Sequence, residues 1–85
     1  MKVIAHGFRK REINGEIVYE ALPAPSREEL EQIQAEVEAQ TGRKVSSSGG
    51  CYLMASGGVL SCHNESCVGY CYHQRGNDER CICTI

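Results

Sequence analysis

Six cysteines carry the chemistry this chain could do: Cys51, Cys62, Cys67, Cys71, Cys81 and Cys83. Thiols at this density can cross-link, hold a metal or attack a substrate. Cross-linking has the strongest motive. An 85-residue chain is marginal by packing alone, and such chains are commonly stapled by disulfides. A metal is the second reading, because His63 and His73 stand among the cysteines and a reducing compartment keeps thiols free. Structural zinc sites present paired cysteines two to four residues apart; Cys67 and Cys71 fit that spacing, whereas Cys81 and Cys83 do not. Catalysis is the weakest reading. Cys62 and His63 are adjacent, and adjacent side chains point apart rather than form a nucleophile–base pair. No Cys-x-x-Cys redox pair is present. The reading is therefore three disulfides, with no catalytic residue, no metal ligand set and no cofactor assigned.

The elements that must position these sulfurs follow from local patterning. Cys51–Ala55 and Val59–Cys62 read as two strands around a Ser56-Gly57-Gly58 turn. Glu65 to His73 reads as a short helix with Asn64 as its cap. Arg75 to Asp78 is a turn, and Arg80 to Ile85 a final strand. Cys67 and Cys71 at i, i+4 share a helix face, and Cys81 and Cys83 at i, i+2 share a strand face. A helix over a strand can join these four by two disulfides, leaving Cys51 and Cys62 to close the hairpin. Six cysteines nevertheless allow fifteen connectivities, and spacing alone does not choose.

Cys67-Val-Gly-Tyr-Cys71, Arg75-Gly76-Asn77 and Cys81-Ile-Cys83 together resemble the cysteine-stabilised helix–strand motif of defensins and related toxins. The resemblance implies pairs Cys67–Cys81 and Cys71–Cys83. It covers residues 67–83 only, and lacks the further strand cysteine that the family carries between the helix pair and the final Cys-x-Cys.

The first half contains no cysteine. Residues 2–22 read as a β-hairpin around Asn14-Gly15, because a type I′ turn needs positive φ at both central positions. Val3, Ile4, Phe8, Ile17 and Tyr19 supply its apolar side chains. After Pro23-Ala24-Pro25, Ser26 and Glu29 form a capping box that starts a helix from Arg27 to Thr41, ended by Gly42. Leu30, Ile33 and Val37 make one apolar stripe along it. Ser46 to Gly50 reads as a linker or loop. The expected fold class is α+β: one domain over 1–85, with a hairpin and helix in 1–45 and a cysteine-rich hairpin–helix–strand unit in 51–85.

The net charge of −2 is spread over both halves, so neither nucleic acid nor an anionic membrane finds a basic surface. No apolar run approaches the ~20 residues that cross a bilayer. The N-terminus does not read as a signal peptide, since His6 and Arg9-Lys10-Arg11 follow at once. Disulfide density nonetheless points to secretion, with the cytoplasm as the alternative. Asn64-Glu65-Ser66 is a glycosylation sequon. The function expected is a small secreted, non-enzymatic effector, toxin-like or defence-like, that binds a protein target. Tyr52, Tyr70, Tyr72 and Arg75 are its candidate contacts, because Tyr and Arg are enriched at interface hot spots. Two alternatives stand beside it: an exported cysteine-rich peptide with residues 1–50 as a leader ending in Gly49-Gly50, and an intracellular metal-binding structural module.

Overall fold

A computed structural model describes residues 2–46 and 49–85, and the side chains of 4–46 and 49–85. Among them are one helix and seven strands: β1 (Lys2–Ala5), β2 (Gly7–Ile13), β3 (Glu16–Ala21), α1 (Arg27–Thr41), β4 (Cys51–Ser56), β5 (Val59–Asn64), β6 (Tyr70–Gln74) and β7 (Asp78–Thr84). The strands form two antiparallel sheets, ordered β1-β4-β5 and β3-β2-β7-β6.

This architecture corrects the expected α+β fold class with its hairpin–helix–strand unit: the described residues form mostly antiparallel sheet with one helix, the cysteine-rich half is entirely strands and loops, and the helix read over 65–73 does not form. The cap signal at Asn64 is real but closes a loop. Its Oδ1 accepts from the Cys67 N–H at 2.9 Å, while its Nδ2 donates back to the Cys67 carbonyl at 3.0 Å. The chain then enters β6, where Tyr70, Cys71 and Tyr72 suit a strand. Gly69 permits that entry, because a Cβ there would collide with the Thr84 carbonyl. Tyr70 to Gln74 pair in register with Thr84 to Arg80.

The first half holds closer to expectation. Asn14 and Gly15 adopt φ of 52° and 83°, and the β2–β3 hairpin closes on them. The first arm, however, is divided at His6. β1 pairs with β4 in one sheet, whereas β2 pairs with β7 in the other. The Ser26 Oγ accepts from the Glu29 N–H at 3.2 Å, as a capping box requires, and Gly42 ends α1 in the left-handed region. The linker's Ser47 and Ser48 and the Val3 side chain lie outside the described residues.

The two sheets face each other over Phe8, Leu53 and Cys81, all buried, with Tyr19, Ala55 and Leu60 packed around them. On β6 and β7 the side chains alternate in period 2. Cys71, Cys81 and Cys83 face the other sheet, where their disulfides lie; Tyr72 and Gln74 face α1, bonding Gln40 at 2.9 Å and Glu36 at 3.3 Å. Ile33 and Val37 are buried beneath the helix, while Leu30, third member of the predicted stripe, is 44% exposed. The helix therefore packs on the four-stranded sheet rather than on the hairpin side chains, of which Ile17 stays exposed.

Candidate functional site: an apolar cleft in a disulfide frame

All six cysteines are bonded, as Cys51–Cys71, Cys62–Cys81 and Cys67–Cys83. Neither pair implied by the defensin-like motif, Cys67–Cys81 or Cys71–Cys83, occurs, and nor does the remaining pair Cys51–Cys62. The β4–β5 register explains the last. Cys51 lies opposite Asn64 and Cys62 opposite Leu53, so the two cysteines are diagonal neighbours. Diagonal positions are ~7–8 Å apart, beyond the reach of an unstrained bridge. Cys71 and Cys83 do face each other in register, yet Cys71 bonds Cys51 of the other sheet and Cys83 bonds Cys67 of the β5–β6 loop. Cys51–Cys71 and Cys62–Cys81 each join one sheet to the other, and Cys67–Cys83 ties the β5–β6 loop to β7. The closed segments span 20, 19 and 16 residues, so loop entropy alone gives each bridge ~3 kcal/mol.

Where β1 leaves one sheet and β2 enters the other, a cleft of about 490 Å³ opens beside the helix. Its walls are apolar: Ile4 and Ala5 of β1, Leu30 and Ile33 of α1, and Ile82 of β7. Tyr52, Gln34 and His6 also line it. Arg80 is its one permanently charged lining residue among the described residues, and no carboxylate lines it. On its far side Arg80 neighbours Asp78. That carboxylate is already held by Arg9, whose Nε and Nη2 donate at 2.8 and 3.1 Å. The bidentate pair holds the Asp78 carboxyl below the usual carboxylate range, against a smaller opposing effect of burial. A concave apolar surface with few placed polar groups is the usual form of a binding site.

The candidate contact residues are distributed over this frame. Tyr52 lines the cleft and stacks on His63, ring centroids 5.4 Å apart. Tyr70, 67% exposed, lies under the Arg43 guanidinium at 4.2 Å. Tyr72 shares that face of β6 but is tied to Gln40 of the helix. Arg75 is exposed at the β6–β7 turn, 4.0 Å from Glu79. Tyr70 and Tyr72 share β6, whereas Tyr52 stands on β4 of the other sheet and Arg75 in the β6–β7 turn.

Neither histidine joins the cysteines as a ligand. His63 Nε2 meets the Ser61 hydroxyl at 2.7 Å, and His73 Nε2 meets the buried Glu79 carboxylate at 2.8 Å. Cys62 is bridged to Cys81, so the Cys62–His63 pair offers no thiol. The cleft itself was missed from the sequence. Its walls come from β1, α1, β4 and β7, and no local spacing marks side chains that only tertiary structure assembles.

Among the described residues, no helix is long and apolar enough to cross a membrane. No family model, curated protein or solved structure matches this chain.

Proposed function

We propose that the chain is a small extracellular effector without catalytic activity, toxin-like or defence-like in build, that binds a protein target through the cleft and its rim. The cleft carries this reading: an apolar cavity beside one guanidinium, on a domain whose three disulfides suit an oxidising environment. Its chemistry fits an apolar side chain accompanied by a carboxylate, which Arg80 would pair. Tyr52 at the rim and the exposed Tyr70 are the target contacts within this reading, and Tyr72 and Arg75 extend the surface along β6 to its turn into β7.

The test is to pan a random peptide library against the native, oxidised chain. Enriched peptides carry an aliphatic or aromatic residue next to an acidic residue or a free carboxyl terminus. Their affinity falls about tenfold or more in Arg80→Gln and in Tyr52→Ala, the loss expected of hot-spot residues. Peptides that bind both variants as tightly as the native chain, or the absence of any enrichment, would overturn the proposal.

A further inference from the structure

We infer that, once two of its three disulfides are opened, the chain holds a tetrahedral divalent metal ion, zinc by chemistry, on Cys51, Cys67, Cys71 and Cys83. The sulfurs of Cys51, Cys67 and Cys71 lie within 4.8 Å of one another. Cys83 is the fourth. Its sulfur is bonded to that of Cys67, and its residue stands directly opposite Cys71 across the β6–β7 ladder. Directly opposed side chains in such a ladder have Cβ atoms ~4.5–5.5 Å apart. The two bridges Cys51–Cys71 and Cys67–Cys83 are thus neighbours, and Cys62–Cys81 is the separate third. Zinc–sulfur bonds of ~2.3 Å put the sulfurs of a tetrahedral site about 3.8 Å apart. The Cys67 sulfur has to close on those of Cys51 and Cys71 by about 1 Å at most, while the sulfurs of each opened bridge, bonded at 1.99 and 2.01 Å, separate by about 1.8 Å to reach it.

What makes a site of this cluster is that hydrogen bonds, and not only the bridges, bring its four residues together. Cys71 and Cys83 are held by the ladder from Tyr70↔Thr84 to Gln74↔Arg80. Cys67 is held by both side-chain atoms of Asn64. Cys51 is brought to that loop through Gly50, whose carbonyl accepts from the N–H groups of Glu65 at 2.8 Å and Ser66 at 3.1 Å. A Cβ on Gly50 would run into the backbone of Ser66 and Cys67, so this approach needs glycine there. Cys67 and Cys83 are buried, and Cys51 and Cys71 are half-buried, which keeps water from competing as a ligand. Four thiolates in a tetrahedral set select zinc over harder cations.

The electron balance is simple. Each bridge takes two electrons and two protons from a dithiol reductant, which becomes a disulfide; two dithiols yield the four thiols. Zinc then displaces four protons and binds four thiolates, leaving the site with a charge of −2. The same sulfurs would staple the fold by disulfides where the surroundings oxidise and by metal where they reduce. This inference does not depend on what occupies the cleft.

The test uses the full chain, reduced anaerobically with a phosphine and titrated with Co²⁺ as the probe, in wild type and in Cys62→Ala/Cys81→Ala. Both are expected to bind one cobalt per chain with a tetrahedral thiolate absorption spectrum. Both should also recover the dispersed amide spectrum of the β6–β7 ladder on binding. Cys67→Ser and Cys71→Ser, which lack a direct ligand, should lose more than the roughly 10- to 100-fold that removing a supporting group costs. Cobalt bound without recovery of the ladder would mean a reduced coil scavenging metal, and would overturn the site. So would binding unaffected by Cys67→Ser and Cys71→Ser, or no binding.

Discussion

Phe8 of β2 and Leu53 of β4 lie in one buried cluster, 1% and 0% exposed, although one stands in each half of the sequence. Cys81, whose bridge to Cys62 spans the sheets, completes that cluster. A fragment of residues 51–85 therefore loses Phe8, the β1 partner of β4 and the β2 partner of β7. It should give a collapsed amide spectrum where the full chain gives a dispersed one. A leader reading of residues 1–50 requires the opposite, a fragment that folds alone.

Within the intact chain, Leu53→Ala should cost ~2–5 kcal/mol and Phe8→Ala ~3–5 kcal/mol in denaturant unfolding, because both side chains are fully buried. Losses below ~1 kcal/mol would mean that the sheets do not meet where described.

Gly69→Ala should destabilise the chain by roughly 1–3 kcal/mol or more, the range for overpacking, since the added methyl meets the Thr84 carbonyl. The effect should fall on the β6–β7 ladder, read by hydrogen exchange of the amides from Tyr70 to Gln74. A helix over 65–73, the arrangement expected from sequence, would instead gain from alanine.

Asp78 should titrate below the ~3.9 of a free aspartate, because Arg9 hydrogen-bonds its carboxylate. The sign follows from linkage. A depressed folded value means that the stabilisation is fully present above the unfolded value, and is lost as pH falls through the folded one. A carboxyl NMR titration checks this, and Arg9→Gln should return Asp78 toward its ordinary range.

Local signals in the sequence were sound where local chemistry decides. Asn14-Gly15 and Ser26 with Glu29 act within a few residues, and the turn and the helix stand where they predict. The errors arose where distant chain segments decide. Nothing near His6 announces that one strand will serve two sheets. Asn64 caps a loop instead of a helix because Gly69 and the waiting edge of β7 draw the chain into β6. The disulfide pairing depended on that choice: with 65–73 extended, Cys67 and Cys71 no longer share a helix face over Cys81 and Cys83. The cleft was invisible for the same reason, being assembled from four elements.

The most direct test is the disulfide map of the natively purified, oxidised chain. Intact mass with and without reductant, after alkylation, should show a six-hydrogen difference and no modified thiol. Cleavage at Tyr, Leu and Glu, with fragment-ion sequencing across Ile82, should then yield Cys51–Cys71, Cys62–Cys81 and Cys67–Cys83. Recovery of Cys51–Cys62, Cys67–Cys81 and Cys71–Cys83 would contradict the two-sheet frame and restore the helix–strand motif in its place.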